Sequence, residues 1–149
     1  MSRPVCSLGF AAMMAAVLSV SPSRAATQGV LGDWVTPGGA RVLVAACPDR
    51  PTLLCGILVS LKRSGDAQGA VLRDTANPNA TLRDRPLIGL TLIERFRPAG
   101  HGHWVDGHIY DPGSGKTYGS KMTLEGDGTL KVEGCVLIIC SAQTWTRPG

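Results

Sequence analysis

Two clusters of glycine and proline set the strictest limit on how this chain can fold. Pro98-Ala99-Gly100-His101-Gly102 and Asp111-Pro112-Gly113-Ser114-Gly115 bracket the run 103–110. Proline presets φ for the start of a turn, and glycine takes the positive φ that other residues resist, so both clusters reverse the chain. The bracketed run has strand length and carries aromatic and β-branched residues. After the second cluster, Tyr118, Met122 and Leu124 alternate with Thr117, Lys121, Thr123 and Glu125. A period of two with one polar face marks a strand half in water. The stretch 82–118 is therefore the middle of an antiparallel meander.

The same reading extends in both directions. Strands are expected over 30–36, 41–46, 54–62, 88–96, 103–110, 116–125, 129–133 and 143–147, with one long polar loop over 63–81. Asn79 can cap a helical turn near the end of that loop. Short hairpin connections make sequence neighbours spatial neighbours. The expected fold is all-β, an antiparallel up-and-down closed barrel of about eight strands, an arrangement that removes exposed edges. A chain of 149 residues with 19 Gly, 10 Pro and only 17% charged residues fits one such domain. Trp34 opens the first strand and Arg147 closes the last. Paired in a closed barrel, they form a latch: the guanidinium stacks on the indole and donates to backbone carbonyls.

The first residues are expected to leave. Arg3 supplies a positive start, 8–20 is apolar, and Ser21-Pro22-Ser23-Arg24-Ala25 ends in a small residue suited to cleavage. This is the pattern of a secretory signal peptide over 1–25, with the mature domain at 26–149 in the periplasm or secreted. An apolar run of about 13 residues is too short to span a bilayer comfortably. Removing Arg3 and Arg24 takes the formal charge from +4 to +2, too little to argue for nucleic acid.

Removing Cys6 as well leaves Cys47, Cys55, Cys135 and Cys140 in an oxidising compartment. Four cysteines allow three pairings, and sequence alone does not choose among them. Local pairing is preferred. Cys47 and Cys55 flank a segment whose two prolines suit a hairpin loop. Cys135 and Cys140 flank Val136-Leu137-Ile138-Ile139, which would separate the two Cα atoms by roughly 17 Å if extended. A bond there requires those four residues to turn. Neither spacing is Cys-x-x-Cys, which argues against a metal.

Each candidate for chemistry has a plain structural counterpart. Gly115-Lys116-Thr117 is the end of a phosphate loop, but Tyr110 stands where that motif needs glycine, and a strand follows instead of a helix. His101, His103 and His108 could ligate a metal, yet two of them lie in or beside a glycine-rich turn. Ser114 and Ser120 sit near glycines without the nucleophile-elbow spacing. Glu94 falls on the face of Leu90, Leu92 and Phe96, where a carboxylate must be paired, neutral or hydrated. Arg83 and Arg85 are its expected partners, either as a buried structural pair or as the polar anchor of a cavity. Tyr110, Tyr118 and Trp104 are the aromatic walls of such a cavity, or core. The four apolar residues 136–139 would cap the barrel end or form a patch for a partner, a second copy of the chain included.

The segments GDWVTPGG, NPNATLRDRPLIGL, GHWVDGHIYDPGSGKTYGSKMTL and GCVLIICSAQTWTR, in this order, resemble the exported bacterial family called domain of unknown function 2147. The resemblance covers Gly32, Trp34, Cys55, Asn77, Arg83, Arg85, Trp104, Tyr110, Gly115, Tyr118, Cys135, Cys140 and Arg147 among others. It implies a small lipocalin-like barrel in the periplasm or secreted, and no established reaction. The initial Gly-x-Trp with a late arginine is also similar to how lipocalins begin and end. The function expected is non-enzymatic binding of a small apolar or amphipathic molecule, with no cofactor and no metal. The alternative is an interaction module of the cell envelope with a filled barrel.

Overall fold

The computed structural model describes residues 29–63, 65 and 69–149; the expected signal peptide and Cys6 lie outside them. Eight strands follow one another: β1 (Gly32–Val35), β2 (Arg41–Ala46), β3 (Leu54–Ser60), β4 (Thr91–Gly100), β5 (His103–Asp111), β6 (Lys116–Leu124), β7 (Leu130–Val136) and β8 (Ile139–Trp145). They form one antiparallel sheet in sequence order. Every hairpin expected from the turn residues is present, because each short connection leaves its strand no partner but the next.

The sheet curls, but it does not close along a full ladder. β1 and β8 meet at one bridge, in which Val35 N donates to Thr146 O at 2.7 Å and Thr146 N to Val35 O at 3.0 Å. The expected closed barrel is thus an up-and-down half-barrel with a short seam. β1 ends before Pro37 and β8 before Pro148, and a residue without an N–H cannot extend the pairing.

Several strand limits also move, among them the ends of β4, at Gly100, and of β7, at Val136. β4 starts at Thr91, not at 88, because Leu90 N bonds Leu87 O and Gly89 takes a φ of +95° in a turn. β8 starts at Ile139, because Leu137 and Ile138 turn the chain and Cys135 lies directly across from Cys140. The disulfides are Cys47–Cys55 and Cys135–Cys140.

The connections alternate between two ends. The β2–β3, β4–β5 and β6–β7 turns lie at one end with Gly29 and Val30. The β1–β2, β5–β6 and β7–β8 turns and the long β3–β4 loop lie at the other. The first end is dry. Trp34, Trp104, Phe96 and Met122 are fully buried there or just above it, with Val42, Ile93, Leu130 and Trp145. Trp34 Nε1 donates to Val30 O at 2.7 Å, so the indole is buried with its polar atom satisfied.

The expected inward placement of Glu94 is overturned. Glu94 is exposed, while Ile93 and Phe96 are fully buried. The alternation breaks twice: a register shift against β3, between the pairs Ile57–Thr91 and Gly56–Ile93, moves the inward face from Leu92 to Ile93, and Arg95 and Asp106, in the paired strand, then adopt φ near +60° (60° and 59°) and move it on to Phe96. These two residues bend β4 and β5 together and leave the register either side unchanged, from Glu94–His108 to Arg97–Val105. Across the bend the inward positions, Ile93 and Phe96, are three residues apart, not two.

Candidate functional site

The end opposite the tryptophans is hollow. A cavity of about 610 Å³ runs inside the sheet and opens among the loops of that end. Its apolar wall includes Leu58, Leu61, Leu87, Leu92, Ile109, Val132 and Trp145. Tyr110 and Tyr118 also line it, and Ser141 and Gln143 supply polar atoms from β8. The alternation of β7 and β8 places Val132, Gly134 and Val136, and Ile139, Ser141, Gln143 and Trp145, on this inner face. Gln143 Oε1 accepts from Trp145 Nε1 at 3.1 Å, so the cavity floor is a satisfied indole.

The long loop closes the outer side of this end through a buried polar cluster at Asp74. Asp74 is fully buried and Asn77 nearly so. Tyr110 OH donates to Asp74 Oδ1 at 2.5 Å, and Arg85 donates to Asp74 Oδ2 through Nε at 2.9 Å and Nη2 at 2.8 Å. Asn77 Nδ2 donates to Asp74 Oδ2 at 2.8 Å and to Tyr110 OH at 3.1 Å. Arg83 Nε reaches Asn77 O at 2.8 Å, and Asn79 caps the 3-10 turn Ala80–Leu82 through Thr81 N. Burial pushes the Asp74 carboxyl up, but the hydrogen bonds from Tyr110, Asn77 and Arg85, with the Arg85 charge, outweigh it and hold the group below its ordinary value. Burial and the bond to that carboxylate push the Tyr110 phenol up. Gly115 admits the loop: its φ is +68°, and a Cβ there would stand 1.9 Å from Ala76 O.

A second hollow, of about 600 Å³, is polar and lies between this loop and β4–β6, lined by Asn77, Arg85, Glu94, His108, Tyr110 and Thr117. The candidate residues are thus distributed over separate places. Tyr118 lines the apolar cavity alone, and Tyr110 lines both hollows. Arg85 and Glu94 line the polar cleft, but Arg85 pairs with Asp74 and not with the exposed Glu94. Arg83 lines neither hollow and holds the loop. Trp104 is 2% exposed and lines neither; it is core, and its Nε1 meets no hydrogen-bond partner among the described residues. Asp74 was not among the sequence candidates. It lies in a loop without periodicity, and besides Asn77 its partners, Arg85 and Tyr110, are 11 and 36 residues away.

At the dry end, the Arg147 guanidinium lies 3.8 Å from the centroid of the Trp34 ring. Its Nη1 donates to Asp33 O at 3.1 Å and its Nη2 to Gly29 O at 2.5 Å. Gly32 makes room for it, with a φ of +104° and a would-be Cβ 3.2 Å from Arg147 Nη1. His103 Nδ1 lies 3.1 Å from Thr123 Oγ1, and His108 stands across from Glu94.

Residues 32–147 match the family model described as "Uncharacterized protein conserved in bacteria (DUF2147)". No curated protein matches the chain. Among solved structures the chain is similar to protein HP1028 of the human pathogen Helicobacter pylori, whose structure is described as belonging to the lipocalin family. The two share 19% identity at a TM-score of 0.69, over 80% of this chain and 82% of the other. At that identity the likeness is one of fold, and it is lipocalin-like.

Proposed function

The chain belongs to this DUF2147 family, and from that premise we propose that it is a non-enzymatic protein that binds a small apolar or amphipathic molecule in the cavity of its half-barrel. The observation that carries the reading is the cavity itself: about 610 Å³, aliphatic on most of its wall. Ligand sites span about 300–1,000 Å³ and combine apolar walls with a few polar atoms that fix orientation. Tyr118 and Tyr110 form the aromatic part of the proposed site, and Gln143 and Ser141 offer the polar contacts. Arg85 and Glu94 stand outside it, in the polar cleft. A filled barrel would have no use for this volume.

The proposed setting is the periplasm or the exterior. Two disulfides favour an oxidising compartment, and among the described residues no helix is long and apolar enough to cross a membrane. The test is titration of the oxidised 26–149 protein, which holds every strand, with a fluorescent fatty-acid probe, alongside native mass spectrometry. The expected result is saturable, one-to-one binding that quenches Trp145. Gly134→Leu is the matched variant, because a Cβ at Gly134 meets Ile109 Cγ2 at 3.4 Å without a clash and the rest of the side chain enters the cavity. It should abolish probe binding at an unchanged melting temperature. A parent protein that binds no probe and carries no ligand ends this reading.

A further inference from the structure

The β7–β8 hairpin ends in the most exposed apolar side chains among the described residues. Leu137 is 95% exposed and Ile138 97%, flanked by Ile139 at 76% and Val136 at 58%. Large aliphatic groups held this far into water are costly and need an explanation. The turn itself is disfavoured for such a residue, since Leu137 adopts a φ of +54°, where glycine or asparagine is usual. The Cys135–Cys140 bond lies directly below and holds the two strands together, with Cα atoms 4.0 Å apart. The bond therefore presents the tip and keeps the backbone under it paired.

The surroundings of the tip indicate what it meets. Val136 and Ile139 line the cavity, so the tip stands at the cavity mouth. The neighbouring turns at this end are basic. Lys62 packs beside Gly39 in the β1–β2 turn, Arg63 follows it, and Lys116 starts β6; all three are exposed and none has an ion pair among the described residues. Asp111, the acidic residue of the β5–β6 turn, accepts only from the neutral Gly113 N at 2.9 Å and Ser114 Oγ at 2.6 Å and keeps its charge, so the three cations outnumber it. An aliphatic tip at an end where unpaired cations are in excess matches the chemistry of an anionic lipid surface, whose headgroups attract the cations while the acyl boundary takes the tip. A second copy of the chain fits less well. Four aliphatic side chains offer roughly 60–120 Å² each, well short of the roughly 800 Å² per partner of a stable interface. The cations would also face each other.

We propose that the Leu137-Ile138 tip and the basic turns beside it dock the open end of the half-barrel onto an anionic lipid bilayer. Docking does not depend on what the cavity holds. Exchange of an amphipathic ligand at the docked mouth would rest on the binding reading above.

The oxidised 26–149 protein is sedimented with vesicles of phosphatidylglycerol and phosphatidylcholine, and with vesicles of phosphatidylcholine alone. It should partition onto the anionic vesicles and detach as salt rises. Leu137→Ser with Ile138→Ser, at sites too exposed to support the fold, should weaken partition about tenfold or more. Lys62→Glu with Lys116→Glu should weaken it at least about fivefold per charge. In Ile138→Trp, emission should shift to the blue with anionic vesicles only. Probe binding without vesicles is measured on the same serine variant and should be retained, so failure of docking and failure of the cavity reading are seen separately. The proposal is overturned if the parent stays in the supernatant, or if the serine variant partitions like the parent. It is also overturned if the parent doubles its mass with concentration and the serine variant does not.

Discussion

The two ends of this half-barrel are built from the same strands and held in opposite ways. At the dry end, indoles and a phenylalanine fill the space inside the curled sheet, and one arginine joins the start of the first strand to the end of the last over Trp34. At the open end the inner space is left hollow, and order comes from a buried carboxylate that gathers three side chains onto one loop. Packing stabilises the first end through contacts that tolerate small shifts. The second end depends on directional bonds to one group. A fold that must keep a void can place its rigidity in the wall around it, and here that wall is the Asp74 cluster.

The contrast breaks most sharply at Asp74. Asp74→Ala leaves the donors of Tyr110, Asn77 and Arg85 without their acceptor. Arg85 is partly exposed and can be hydrated, so the expected loss is about 3 kcal/mol. A Tm drop with probe binding lost beside it is the predicted outcome. The pH dependence follows from the depressed carboxyl. Its contribution is complete above the ordinary value of 3.8 and is lost as pH falls through the lower folded value, so the parent should destabilise in strong acid. Asp74→Asn should be less stable than the parent at neutral pH and show a flatter acid limb in denaturant titrations.

Next come the staples. Replacing Cys135 and Cys140 by serine should cost roughly 2 kcal/mol, and replacing Cys47 and Cys55 slightly more, because the second loop is longer. Urea midpoints on both double variants measure this. Arg147→Ala follows at about 1–3 kcal/mol, from lost stacking and two backbone acceptors. A variant that melts like the parent would remove the latch from the account of the dry end. The smallest effect belongs to Glu94→Gln. Glu94 is exposed on the outer face of β4, so its melting curve should lie within about 0.5 kcal/mol of the parent.

The expectations that held rest on local rules. Turn residues within 98–102 and 111–115 fixed the hairpins, and the preferred pairing of Cys135 with Cys140 required the chain between them to turn, as it does at Leu137 and Ile138. The expectation for Glu94 failed because alternation was carried from Leu92 across the register shift before Ile93, a break that Arg95 then reverses. No local signal gives a positive φ to an arginine; the bend exists because β4 and β5 must curl together over the core. Asp74 was missed for the complementary reason: its role depends on Tyr110, 36 positions away. Tyr118 lies on the face that alternation shares with Met122 and Leu124 and pairs across from Ile109, whereas Tyr110, next to Ile109, turns its hydroxyl to the loop at Asp74. Trp104 was assigned to the wall by the same rule, but the bend at Asp106 separates it from the cavity side.

The single seam between β1 and β8 has a kinetic consequence. Every ladder in the sheet joins sequence neighbours, so most contacts can form through small loops in any order. The seam joins positions over a hundred residues apart, as the 114-residue separation of Arg147 from Asp33 shows. Closing so long a loop is entropically expensive and becomes favourable only once the hairpins are in place. The seam should therefore form after the transition state. Arg147→Ala should leave the refolding limb of a chevron almost unmoved and raise the unfolding rate by nearly the whole of its stability loss. The latch would then set how long the protein stays folded, and have little influence on how quickly it folds.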